Sequence, residues 1–251
     1  MKRKGKYLRK TVFCGNVIRV AKYISGRIGT KEQRRGREKP TAEKVKRWQD
    51  KRAEQNCFDL LHCNFRPGDL WMTFTYPPKA RPTAETVRED IGHFRKRLRK
   101  LFRKAGKELK YILSVGRGKR GAVHFHMVLT KIDPELVENA WQETAGTEAC
   151  PYPRVNTRHL DRSGYWPKLA GYIVKNGLET FRSEDPIFSR RFVASTNLKK
   201  PKIRVEIIRA AGWKTEPPDR KEWRVDRESL WNGSGPAGFS YQSYTLIRRN
   251  I

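Results

Sequence analysis

The chain has 251 residues, with 56 Lys and Arg against 26 Asp and Glu, and a formal net charge of +30. That length suits one compact domain with appendages or two small domains, and a hydrophobic share of 37% with seven Trp, nine Tyr and eleven Phe excludes a purely disordered chain. No apolar run is long enough to span a membrane, the basic N-terminus lacks an apolar signal stretch, and four scattered cysteines do not make a disulfide framework, so a cytoplasmic protein with no membrane partner is expected. Thirty surplus positive charges repel one another unless a polyanion offsets them, which points to nucleic acid.

Residues 1–40 read as a basic N-terminal arm or linker; the stretch 31–40 has no apolar residue. A helix is expected from Thr41 to about Asn64, with Trp48, Ala53, Cys57, Leu60 and Leu61 as its apolar stripe. Pro67-Gly68-Asp69 then turns the chain into a strand, Leu70–Tyr76, closed by Pro77-Pro78. A second helix is predicted over 84–105, because Val87, Ile91, Phe94, Leu98 and Phe102 recur at spacings of three and four. Its other face carries Arg88, Arg95, Arg97, Arg99 and Arg103, a candidate surface for phosphates.

Two strands, Leu109–Val115 and Val123–Thr130, flank the glycine-rich link 116–121 and read as an antiparallel pair. A short helix follows from Asp133-Pro134 to about Glu143, then a strand over 154–160. Pro167 opens a helix that Asn176-Gly177 is expected to stop after Lys175. Residues 201–208 suit one more strand, and 209–251 form a C-terminal extension without a clear period. The order of elements is that of an α+β fold, an antiparallel sheet backed by helices, over residues 41–208.

Two spacings carry chemistry. On a strand, residues i and i+2 share a face, so His124 and His126 point together and Phe125 points away. Two such imidazoles can hold a divalent cation with positions left open for water or phosphate oxygens. On a helix, Tyr172 and Lys175 share a side. A phenolate can attack a phosphodiester, and a nearby ammonium can offset the developing charge. A second Tyr-x-x-Lys, Tyr165 to Lys168, competes for the role, but Pro167 sets Tyr165 before the helix. Cys57, His62 and Cys63 lack zinc-site spacing and are expected to be buried. Trp71, Trp166, Trp213, Trp223 and Trp231 suit either core packing or base stacking.

The strand Trp71-Met-Thr-Phe-Thr-Tyr76, the strand His124-Phe-His126 and the helix Tyr172-x-x-Lys175 follow one another at about fifty-residue spacing. In this order they resemble the three motifs of the HUH endonuclease superfamily, and within it the rolling-circle replication initiators of phages, plasmids and integrative elements. The resemblance spans roughly residues 45–205. It implies a five-stranded antiparallel sheet with the His pair on a central strand, and a Tyr helix packed beside it. It implies Mn²⁺ or Mg²⁺ on His124 and His126, Tyr172 as nucleophile with Lys175 in support, and single-stranded or hairpin origin DNA as substrate in a bacterial host. The product would be a 5′-phosphotyrosine with a free 3′-OH primer, later rejoined. With no Walker motif in the chain, a host helicase and polymerase would complete replication. The same motifs suit a relaxase or a single-strand transposase; a basic DNA-binding protein without catalysis is the alternative of a different class.

The chain departs from this pattern at one point. The family often places a carboxylate ligand eight positions before the first His, and that position is Gly116. His159 and Glu143 are the candidates to replace it.

Overall fold

A computed structural model of the chain describes residues 7–24, 41–77, 80–118, 121–209, 212–234 and 240–249. They form an α+β protein of four helices and two five-stranded antiparallel sheets, divided into two compact units: Arg47–Lys199, and Met1–Lys46 with Lys200–Ile251.

The central unit contains strands β3 (Leu70–Thr75), β4 (Tyr111–Arg117), β5 (Val123–Leu129), β6 (Val155–His159) and β7 (Val193–Ala194), ordered β6-β3-β5-β4-β7. Its helices are α1 (Ala42–Asn64, whose first residues fall in the other unit), α2 (Ala84–Lys104), α3 (Pro134–Ala145) and α4 (Pro167–Phe181). The Thr83 side chain accepts the Thr86 N–H and caps α2, and Asp133 does the same for α3 through Glu135 N–H. Trp48 lies 61% exposed, off the stripe expected for α1, while Cys57 and Leu61 are buried.

One face of this sheet is the main core. Leu70, Met72, Phe74, Phe125, Met127 and Leu129 pack with Val87, Ile91, Phe94 and Leu98 of α2 and with Trp141 of α3. Phe125 stacks on Phe74 at 4.6 Å and meets Trp141 edge-on at 4.9 Å. Such contacts add to the burial of large rings and pin β5 from below. Helix α4 packs on β4, and Thr180 Oγ1 donates to Val115 O at 2.8 Å.

Helix α4 does not stop at Asn176-Gly177; it runs six residues past Lys175 to Phe181. Gly177 is there for space: a Cβ at this position would run into the backbone carbonyl of Arg191. A glycine in a helix can thus mark a close backbone approach as well as an end.

The other unit corrects the expected division of the chain. Residues 7–24 are no arm: they form β1 (Tyr7–Cys14) and β2 (Val17–Ile24), while residues 25–40 lie outside the described part. The expected strand at 201–208 is β8 (Lys202–Ile208), but it pairs with β1 instead of joining the central sheet. The C-terminal extension supplies β9 (Trp223–Ser234) and β10 (Ser240–Arg248). The order β8-β1-β2-β10-β9 joins both ends of the sequence, over a small core of Ile18, Val20, Val225, Tyr244 and Leu246.

Candidate active site

Strand alternation builds the site on the sheet face opposite the main core. Register aligns three rows across β6, β3, β5 and β4. Arg158, Trp71, Val128 and Ile112 form the first, and Asn156, Thr73, His126 and Ser114 the second. In the third, Thr75, His124 and Gly116 follow one another. Phe125 points to the core, as the His-x-His spacing requires.

The second row orients its histidine. Thr73 Oγ1 lies 2.9 Å from His126 Nδ1, and Tyr172 Oη lies 3.0 Å from His126 Nε2. One tautomer satisfies both contacts: Nδ1–H donates to Thr73 and Nε2 accepts from the phenol. Trp71 stacks on the ring at 5.1 Å and meets Tyr172 edge-on at 5.9 Å. His126 is only 4% exposed. Burial, and after it the nearby His124, pushes its pKa down to about 4, so the ring is neutral at neutral pH. His124 stands 5.0 Å away, ring centre to ring centre, with its Nε2 3.3 Å from Asn176 Oδ1.

Tyr172 reaches this pair from α4 and remains 46% exposed. Partial burial raises its pKa above the usual phenol value. An open cavity of about 400 Å³ joins Tyr172 to Thr73, Thr75, His124, His126, Arg154, Asn156 and Arg158. Tyr172, His124 and His126 are therefore brought together. Lys175 is exposed and does not line the cavity. Tyr165 is turned elsewhere, packed edge-on to Phe58 at 6.1 Å.

Other expected residues fall away from the site. Glu143 on α3 binds Arg97 of α2 at 2.7 Å, in the helical layer on the core side. His159 is opposite Leu70, at the far end of β3 from Thr75, and its Nδ1 lies 3.2 Å from Gly68 O. Neither joins the His pair. His62 uses both ring nitrogens, one beside Phe58 O at 2.8 Å and the other accepting Trp166 N–H at 3.0 Å. It is a satisfied core histidine. The arginines of α2 lie on the core side of the sheet, and Arg88 donates to Pro186 O there. The cations that do line the cavity, Arg154 and Arg158, belong to a strand recognised in the sequence; their alternation with Asn156 is the signal that marks them.

Among the described residues no three His, Cys, Asp or Glu side chains gather as metal ligands. The face nevertheless suits a divalent cation. It offers two imidazoles, one of them neutral and held by a Thr hydroxyl from behind, the arrangement that aims a ligating nitrogen. Two polar atoms on that face, Ser114 Oγ and Asn176 Nδ2, are buried without a hydrogen-bond partner.

Residues 69–177 match a family model of replication-associated proteins, that of the ORF2 and phage gene 2 protein type. The matched segment begins just before β3 and ends at Gly177, so it contains all three motifs. No curated protein and no solved structure gives a significant match.

Proposed function

We propose that the chain is a rolling-circle replication initiator that nicks single-stranded or hairpin origin DNA through Tyr172. The observation that carries this reading is the meeting of Tyr172 Oη and His126 Nε2 at 3.0 Å, in a cavity flanked by Arg154 and Arg158. The match to a replication-associated family over the same residues supports it.

His124 and His126 would hold the cation. When bound, it would neutralise charge on the scissile phosphate and favour the ionised phenol. The chain supplies the rest. Arg154 and Arg158 receive the phosphate backbone across the open side of the cavity. Trp71, stacked on His126 and edge-on to Tyr172, keeps the nucleophile and the imidazole in register. Burial opposes ionisation of Tyr172, so positive charge around it is a requirement of the chemistry. The phenolate oxygen forms a bond to phosphorus as the bond to the 3′ oxygen breaks. The 5′ end stays on the enzyme, and the released oxygen takes a proton to become the 3′-OH. Lys175, three residues along the helix, is the support for the leaving oxygen once DNA closes the open side.

The test uses the full chain with Mn²⁺ and labelled single-stranded DNA from its genomic neighbourhood. A denaturation-resistant adduct on Tyr172, identified by mass spectrometry, is expected. It should vanish in EDTA and in the Tyr172→Phe variant, while DNA affinity stays within a few-fold because phosphate contacts dominate it. An adduct on Tyr165 would move the nucleophile. Products with free 5′-phosphates and no adduct would overturn the tyrosine mechanism.

A further inference from the structure

The glycine at the usual carboxylate position has a partner. Gly116 pairs with His124 across β4 and β5, so a side chain at 116 would stand beside the first imidazole on the same face. That space is filled from helix α4. A Cβ built on Gly116 would lie 2.7 Å from Asn176 Cγ and 2.8 Å from its Nδ2, and closer still to Oδ1. Real side chains do not pack so tightly, so Asn176 and a side chain at 116 exclude one another.

Asn176 follows Tyr172 by one helical turn and therefore faces the same way. Its amide oxygen lies 3.3 Å from His124 Nε2, long for a hydrogen bond to a ring nitrogen. Adjacent ligands of an octahedral cation at about 2.1 Å are themselves about 3 Å apart. His126 Nε2 and Tyr172 Oη stand at a similar separation, 3.0 Å. The amide nitrogen of Asn176 is buried with no partner, so hydrogen bonding of the amide does not account for its burial.

We infer that Asn176 supplies the third protein ligand of the cation site, its amide oxygen taking the place that a carboxylate on β4 would hold. This rests on the proposed binding of a cation by His124 and His126. An amide oxygen is a neutral donor, so the site carries one negative charge fewer than its carboxylate counterpart. The inference therefore includes weaker cation binding than a carboxylate at the same place would give, and a cation whose remaining charge falls on the DNA phosphate.

Mn²⁺ affinity of the full chain without DNA, read from the free-ion electron paramagnetic resonance signal, tests this apart from nicking. Asn176→Ala should weaken binding about tenfold or more, with the unfolding temperature in EDTA reporting that the variant folds. Asn176→Asp should bind at least as tightly as wild type. Gly116→Asp combined with Asn176→Ala should restore affinity, because the donor moves to the strand and the clash is gone. Mn²⁺ binding by Asn176→Ala within about twofold of wild type, while His124→Ala loses it, would overturn the inference and leave the His pair standing. Asn176→Asp binding as weakly as Asn176→Ala would overturn it too. A wild-type chain that binds no Mn²⁺, or binds it unchanged in His124→Ala, would remove the cation site altogether and this inference with it.

Discussion

The two sheets of this protein have the same number of strands and the same antiparallel pairing, yet they are built differently. The central sheet uses neighbours in sequence, from Leu70 to Ala194, and packs helices on both faces. Its strands read as buried almost throughout; β4 is buried from Tyr111 to Gly116. The other sheet joins residues 7–24 to 202–248, and among the described residues five buried side chains make its core cluster. Its edge strand β8 leaves Ile203, Val205 and Ile207 more than half exposed. Burial on both faces lets a sheet carry a site in a rigid frame, because Phe125 can be locked from below while its two histidine neighbours face the cavity. A sheet assembled from the two chain ends must close a long loop before any pair forms, and it has less apolar surface to repay that cost.

Removing residues 1–24 is the strongest way to break the comparison. It takes away β1 and β2, the strands that connect β8 to β10. Hydrogen exchange of 202–208 and 223–248 should lose all slow amides, since a lone hairpin is marginal in water. Residues 70–129 should keep theirs. Retained protection at 202–208 would mean that β8 does not depend on β1.

Phe125→Ala tests the central sheet. Loss of a fully buried ring among Phe74, Phe94 and Trp141 should cost about 4 kcal/mol, measured by urea unfolding of the full chain. Exchange in 123–129 should rise first, because β5 is pinned by that ring. A cost under about 1 kcal/mol would mean that the aromatic cluster does not hold the strand.

Leu246→Ala is the matching change in the other sheet and the smallest of the three. Leu246 is fully buried, but its cluster is small and collapses more readily around the gap. A loss of about 2 kcal/mol is expected, with faster exchange confined to 7–24 and 202–248. A larger loss than that of Phe125→Ala would reverse the ranking of the two sheets.

Much of the central unit is legible in the amino-acid sequence. Local signals succeed where the physics is local: Thr83 caps α2, Pro134 and Pro167 open α3 and α4, and the apolar spacing of α2 matches its buried face. The His pair and Tyr172 are legible for the same reason, since strand and helix periods fix which side chains share a side. The paired arginines of β6 are equally available from alternation. Trp48 is not, because whether a neighbour covers that part of α1 is not written in α1 itself.

The sequence by itself therefore determined the α+β class, the bounds of the central strands and helices to within a few residues, and the direction in which His124, His126 and Tyr172 point. Only the tertiary structure decided three things. It turned the expected arm and C-terminal extension into one sheet, because partners as distant as Tyr7 and Ile208 leave no local mark of their pairing. It carried α4 through Asn176-Gly177, because Gly177 answers to the carbonyl of Arg191 and not to a helix end. And it set Asn176 against Gly116 and His124, because a missing side chain on a strand becomes meaningful only when the helix that fills its space is known.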